Sequence, residues 1–83
     1  MINARILITP KPGILDPQGK AIKLGLHNLN HNEVESVVTG KIMDIKIKHS
    51  NLKQAESQIK DMCDRLLANP HMENYKILEI KEG

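Results

Sequence analysis

The side chains of this chain that could carry out chemistry are few, and their spacing rarely lets them act together. His27 and His31 stand four residues apart, a spacing at which two imidazoles on one helix can share a metal ion. No cysteine or carboxylate lies at a motif spacing from them, and His31 falls past the expected helix end, so we expect capping or solvent-facing roles. Cys63 lies in an apolar helical stripe, whereas a nucleophilic thiol needs an exposed, electropositive setting and a base. We therefore expect Cys63 to be a buried packing residue.

A second candidate is the segment Asp16-Pro17-Gln18-Gly19-Lys20, which begins a predicted helix. The free N–H groups of a helix N-terminus can bind an anion, and Lys20 adds positive charge. The Asp16 side chain can occupy the same donors and would repel an anion, so we favour helix capping, with anion or partner contact as the alternative. The chain has no G-x-x-x-x-G-K-S/T phosphate loop, and the first loop, residues 10–13, lacks the arginine that acylphosphatases use. We predict no catalytic residue, no bound cofactor and no metal site.

Composition narrows the class of protein further. The 83 residues carry 12 basic and 10 acidic side chains, and a net charge of +2 with a single aromatic, Tyr75, is atypical of nucleic-acid binding. No apolar run approaches the length of a membrane span, and the N-terminal residues do not resemble a signal peptide. A single cysteine fits a reducing compartment. We expect one domain over residues 1–83, located in the cytoplasm, without nucleic-acid or membrane partners.

The periodicity of apolar residues predicts six elements in the order β-α-β-β-α-β. Residues 2–9 alternate as a strand, Asp16-Pro17 starts a helix that carries a series of aliphatic side chains, and Val34–Thr39 reads as a second strand. Gly40-Lys41 is placed to turn the chain into a third strand, residues 42–48. A second helix follows from Asn51 to Asn69-Pro70, and residues 75–80 supply the last strand. This order predicts an α+β, ferredoxin-like fold, a four-stranded antiparallel sheet with two helices on one face.

The other face of such a sheet would be bare. Leu7, Val37 and either Ile77 or the pair Leu78 and Ile80 would lie there among polar residues, and an apolar patch of this kind marks a protein contact. We therefore predict self-association through this face, with scattered exposed aliphatic side chains of no consequence as the alternative.

Several segments, taken in order, resemble one family. They are Ile14-Leu15-Asp16-Pro17-Gln18-Gly19-Lys20-Ala21, Leu26-His27-Asn28-Leu29, Asn32-Glu33-Val34, Gly40-Lys41, residues 62–70 (MCDRLLANP) and Glu73-Asn74-Tyr75. Together they are similar to the PurS family, the small subunit of phosphoribosylformylglycinamidine synthase, over nearly the whole chain. That family usually has a basic residue two positions before the Gly-Lys pair, where this chain has Val38.

The resemblance implies a non-catalytic, ferredoxin-like subunit that forms a homodimer or homotetramer. It implies two further partners, a glutaminase subunit that releases ammonia and a large synthetase subunit, with ATP, Mg and glutamine used by those partners and no cofactor bound by this chain. The implied role is to join the two and assist ammonia transfer in purine biosynthesis. The expected contact residues are Leu15, Asp16, Pro17, Gln18, Gly19 and Lys20, then Gly40, Lys41, Asn69 and Pro70.

Simpler interpretations of these residues stay open. Gly40 would also suit a hairpin turn, and Asn69-Pro70 would also end a helix. A small-molecule-sensing regulatory domain of the same fold is the alternative function. Weak RNA binding is disfavoured because Tyr75 alone makes a poor stacking platform.

Overall fold

A three-stranded antiparallel sheet forms the centre of the structure, a computed structural model that describes residues 1–83. The strands are β1 (Ile2–Pro10), β2 (Lys41–Ile47) and β3 (Glu73–Glu82), in the spatial order β2-β1-β3. The central strand β1 alternates as predicted, and its even-numbered residues point to one face, where Ile2, Ile6 and Ile8 are buried. The first and last predicted strands are confirmed, and the strand after Gly40 is confirmed within one residue at each end.

Helix α2 (Leu52–Met62) covers part of that face. The Asn51 side chain caps it by accepting a hydrogen bond from the Gln54 N–H at 3.1 Å, as its spacing predicted. The helix continues into a five-residue π-helical turn, Cys63–Leu67, in which the Ala68 N–H donates to the Cys63 carbonyl at 3.1 Å. Ile59 and Cys63, both 0% exposed, pack on β1, and the helix contacts β1 and β3.

Helix α1 (Pro17–Asn28) begins at Asp16-Pro17 as predicted, but it does not pack on the sheet of its own chain. Apolar side chains along it are therefore exposed: Ile22 is 43% exposed and Leu29, the residue that caps the helix, is 68% exposed, while Leu26 between them is half-buried. The helix ends before Asn30, which takes the left-handed conformation (φ 71°) that lets the chain reverse direction. The prediction of two helices on one face of the sheet is thus wrong for a single copy.

The predicted strand Val34–Thr39 is extended but pairs with no other strand, so the sheet has three strands and not four. No turn forms at Gly40, and β2 begins at the next residue, so the two segments do not make a hairpin. The backbone of Gly40 passes so close to β1 that an added Cβ would lie 2.7 Å from the Ile8 carbonyl oxygen. The hydrogen-bonding groups of the segment 34–39 instead meet α1 and its cap. The Thr39 N–H donates at 2.7 Å to the Asp16 side chain, which ties the segment to α1.

Helix α1 and the returning segment 34–39 together form a projection that we call the arm. The chain consequently measures 51 × 27 × 14 Å, and its radius of gyration is 16.4 Å, against about 12 Å for a compact chain of this length. No helix has the length and apolarity needed to cross a membrane.

The predicted self-association residues do not lie on one surface. Leu7 points to the sheet face opposite α2, whereas Ile80 pairs with Ala4 and lies on the helix side. Leu78 is the extra residue of a β-bulge and is 44% exposed, because Arg5 pairs with Glu79 while the next residue pairs with Ile77. Val37 belongs to the arm. The bulge and the unpaired segment 34–39 are the reasons that the expected apolar patch is absent from the sheet.

Candidate functional site

A groove of about 270 Å³ lies where the arm meets the sheet. One side of it is formed by the residues that start α1, and the other side by the end of β1 and the start of β2 and β3. Its lining residues are Ile8, Pro10, Leu15, Asp16, Pro17, Gln18, Thr39, Gly40, Lys41 and Glu73. Most of the predicted contact residues therefore meet in one place, although they come from separate parts of the chain.

The Asp16 carboxylate holds this junction together. It accepts hydrogen bonds from the Gly19 N–H at 3.0 Å, the Thr39 N–H at 2.7 Å and the Thr39 hydroxyl at 3.0 and 3.1 Å. Donation from the Thr39 N–H, then from the Gly19 N–H, lowers the pKa of Asp16 below its ordinary value of 3.8. Asp16 thus caps α1, as its sequence position predicted, and also joins the two ends of the arm.

Gly19 permits the close approach of the two parts of the arm. A Cβ at this position would lie 2.2 Å from the Val37 carbonyl oxygen, a distance that backbone atoms cannot tolerate. Farther along the arm, the His27 ring contacts the Val34 carbonyl through Nε2 at 2.8 Å. The returning segment is therefore attached to α1 at both ends, and the arm behaves as one unit.

The loop at Asn69-Pro70 reaches the groove through Glu73. The Asn69 N–H donates to the Glu73 carboxylate at 2.8 Å, and the Glu73 N–H donates to the Asn69 carbonyl at 2.7 Å. The Asn69 side chain accepts from the His71 N–H at 2.9 Å. Asn69 and Pro70 are exposed and sit beside the groove wall without lining it.

The groove contains four residues that the sequence did not indicate as contacts, Ile8, Pro10, Thr39 and Glu73. Thr39 directly precedes the Gly40-Lys41 pair, and its hydroxyl is a natural partner for the Asp16 carboxylate. Only the three-dimensional path of the chain reveals that pairing. Lys20 is exposed on α1 and does not line the groove, and Gly19 lies buried behind it.

The candidate reactive residues lie apart from the groove. The His31 ring faces Glu33 at 3.7 Å between Nδ1 and Oε1, so the imidazoles of His27 and His31 have separate neighbours. No group of three His, Cys, Asp or Glu residues is placed to hold a metal ion. Cys63 is buried as predicted, and burial, with a smaller effect from the charge of Asp64, raises the pKa of its thiol.

Fold and groove together define a small, elongated α+β protein whose arm and sheet meet at a recessed surface. A family model described as PurS, phosphoribosylformylglycinamidine (FGAM) synthase, matches residues 3–81. The phosphoribosylformylglycinamidine synthase subunit PurS of Bacillus subtilis is 37% identical over 82 residues, which make up 99% of this chain and 95% of that relative.

Solved structures agree with this match. A structure of Thermus thermophilus PurS has a TM-score of 0.84 at 45% identity and covers 99% of this chain and 96% of that chain. Methanocaldococcus jannaschii PurS, described as one of the subunits of formylglycinamide ribonucleotide amidotransferase in the purine biosynthetic pathway, has a TM-score of 0.82 at 35% identity, with coverage of 100% and 99%. The chain belongs to the PurS family, and it is a subunit of phosphoribosylformylglycinamidine synthase in purine biosynthesis.

Proposed function

We propose that this chain, as a single domain over residues 1–83 in the cytoplasm, is the non-catalytic subunit that joins the glutaminase and synthetase subunits of the enzyme. The observation that carries the proposal is the groove, which gathers Leu15, Asp16, Pro17, Gln18, Gly40 and Lys41 from distant parts of the sequence. The catalytic steps and the use of ATP, Mg and glutamine belong to the partners.

Some groove residues hold the walls of the groove in place, and others are free to contact a partner subunit. The Asp16 and Glu73 carboxylates are already engaged within the chain, so they hold the walls in place. Leu15 is 73% exposed, and the Lys41 side chain has no ion-pair partner within 4.0 Å. Protein interfaces commonly bury an apolar side chain near the centre and place charged side chains at the rim. We therefore assign partner contact to Leu15 and Lys41 first, with Lys20, Asn69 and Pro70 at the periphery.

Ammonia transfer gives such a joining role a physical purpose. Ammonia must travel as the neutral molecule, because an apolar path disfavours the ammonium ion and contact with water would protonate it. A subunit that holds the two active subunits in contact shortens and seals that path without touching the substrate.

Self-association is the second part of the proposal. A single copy has three strands, a sheet face that α2 covers only in part, and an arm whose helix α1 does not cover the rest of that face. The four-stranded ferredoxin-like arrangement with two helices on one face would be completed by a second copy, in a homodimer or a homotetramer built from such dimers.

Charge reversal and polar substitution in the groove test the contact assignment. Lys41→Glu is compared with Lys46→Glu on the same strand, because Lys46 pairs with Asn3 and faces the opposite side of the sheet. Leu15→Asp is compared with Leu66→Asp, since Leu66 is 81% exposed on the π-helical turn, away from the groove.

Binding of each variant to the purified synthetase and glutaminase subunits of the same organism, with Mg-ATP and glutamine, is measured on a sizing column and by titration. Removal of a central contact costs roughly tenfold or more in affinity. We expect that loss for Lys41→Glu and Leu15→Asp and near-normal binding for both controls. Equal binding by all four variants would refute the groove as the contact surface.

A further inference from the structure

Three lysines surround the groove without an acidic partner in the chain. Lys41 lines the groove, Lys11 directly follows the lining residue Pro10, and Lys20 lies near the start of α1. The chain forms five ion pairs within 4.0 Å, and none of these three lysines takes part in one. Their ammonium groups are therefore available to a second molecule.

Backbone hydrogen bonds fix the two lysines that flank the groove. The Lys11 N–H donates to the Met72 carbonyl at 2.9 Å, and Met72 directly precedes the lining residue Glu73. The Lys20 N–H donates at 3.0 Å to the carbonyl of Asp16, which is also a lining residue. These bonds hold both lysines at the rim of the groove, although neither lines it.

The two carboxylates of the groove do not pair with the lysines, because backbone N–H groups already engage them. The Asp16 carboxylate accepts from the Gly19 and Thr39 N–H groups, and the Glu73 carboxylate accepts from the Asn69 N–H. The positive end of the α1 dipole further offsets the charge of Asp16. The acidic groups are thus bound within the chain, whereas the rim of the groove carries three unpaired positive charges.

The size and lining of the groove indicate what kind of molecule it takes. Its volume of about 270 Å³ is below the roughly 300–1,000 Å³ of small-molecule sites, so it suits side chains of a protein partner better than a free ligand. Leu15, at 73% exposure, offers an apolar side chain at the same place. The complementary surface therefore presents an apolar side chain with carboxylates around it.

We propose that the groove binds an acidic segment of a partner subunit, in which an apolar side chain packs against Leu15 and neighbouring Asp or Glu side chains pair with the three lysines. This inference rests on the proposed function and specifies the chemistry of the partner segment. The two kinds of contact act at different stages of binding. Rim charges attract the partner before contact and speed association, whereas packing in the groove slows dissociation.

Two triple variants with the same net charge test the role of the lysines. The groove variant carries Lys11→Gln, Lys20→Gln and Lys41→Gln. The control variant carries Lys46→Gln, Lys48→Gln and Lys53→Gln, which also replace lysines without an ion pair. The control lysines lie near the opposite end of the chain, because β2 begins at Lys41 beside the groove and ends at Ile47, about 20 Å away.

Association rates of both variants are measured with each purified partner subunit of the same organism, at 0.1 M and 1 M salt, with Mg-ATP and glutamine constant. The Debye length falls from about 10 Å to about 3 Å over this range, so salt removes attraction at a distance. We expect the groove variant to associate roughly tenfold more slowly than the control variant at 0.1 M, and within about twofold of it at 1 M. Equal rates at 0.1 M, or an equally large deficit at 1 M, would overturn the acidic partner.

A single position supplies a second measurement that isolates charge from shape. Lys41→Glu and Lys41→Gln place side chains of nearly equal size at the groove, but only Glu would repel a carboxylate of the partner. We expect Lys41→Glu to bind at least threefold more weakly than Lys41→Gln at 0.1 M salt, and the difference to close at 1 M. Equal affinities at 0.1 M would refute an acidic partner.

A neutral truncation separates this inference from the proposed function. Leu15→Ala should speed dissociation to a similar extent at both salt concentrations, because it removes packing and no charge. If Leu15→Ala did so while none of the lysine variants responded to salt, the groove would stand as the contact surface and the acidic partner would be refuted.

Discussion

Replacement of glycine by alanine at two positions of α1 should have clearly different effects on stability. In the interior of a helix this substitution ordinarily stabilises by about 1 kcal/mol, because alanine loses less backbone entropy on folding. A Cβ at Gly25 meets no atom within 4 Å, so Gly25→Ala should stabilise by about that amount.

At Gly19 the same methyl group would lie 2.2 Å from the Val37 carbonyl oxygen, well under the 3.0 Å that Cβ contacts require. The arm must open by about 1 Å to admit it, and overpacking of this kind costs about 1–3 kcal/mol. Opening also lengthens the hydrogen bonds between Asp16 and Thr39. The gain in helix propensity is therefore cancelled or reversed, and we expect Gly19→Ala to be less stable than Gly25→Ala by about 1–3 kcal/mol.

Urea unfolding followed by circular dichroism measures the difference, at one protein concentration because self-association shifts apparent stability. A domain of this size moves in melting temperature by about 4–8 °C per kcal/mol, so thermal scans should separate the variants. Hydrogen exchange at the Thr39 amide supplies a local readout, and it should accelerate in Gly19→Ala only. If Gly19→Ala stabilised as much as Gly25→Ala and left Thr39 protected, the close contact within the arm would be refuted.

Three further predictions follow from individual side chains. Hydrogen bonds lower the pKa of Asp16 in the folded state, so its stabilising effect is present above its unfolded pKa of about 3.8 and is lost as pH falls through the lower folded value. In Asp16→Asn the free energy of unfolding should therefore fall less steeply at acidic pH than in the unchanged protein, and an equally steep fall would contradict this. Ile59→Ala should lower the free energy of unfolding in urea by about 2–5 kcal/mol, because the Ile59 side chain is 0% exposed. Leu66→Ala should lower it little, because Leu66 is 81% exposed, and similar losses of stability for the two variants would disprove the assigned core. The Cys63 thiol is buried and its pKa is raised, so it should react slowly with a disulfide reagent at pH 8 and rapidly once urea unfolds the chain. Rapid reaction in the folded chain would contradict the burial of this thiol.

The elements with strong local signals were predictable from sequence. The alternation in β1, the Asn51 cap of α2 and the Asp16-Pro17 start of α1 are all confirmed. These features depend on contacts within a few residues or on one buried face, and the sequence carries that information directly.

The arm was not predictable, because its position depends on contacts between distant residues. The β-branched residues within 34–39 favour an extended chain but do not specify its neighbour, and Gly40 is compatible both with a turn and with a path that continues into β2. Likewise, the apolar stripe of α1 predicts a buried face without saying which chain buries it. The groove was predicted only as a set of residues, and the bond between Asp16 and Thr39 that shapes it required the structure.

The proposed joining role makes its most direct prediction about the source of nitrogen. Product formation by the synthetase and glutaminase subunits should be measured with and without this chain, once with glutamine and once with ammonium salt, in the presence of Mg-ATP. We expect glutamine-dependent synthesis to require the chain, while ammonia-dependent synthesis continues in its absence. Glutamine-dependent synthesis at the same rate without the chain would contradict the proposed role.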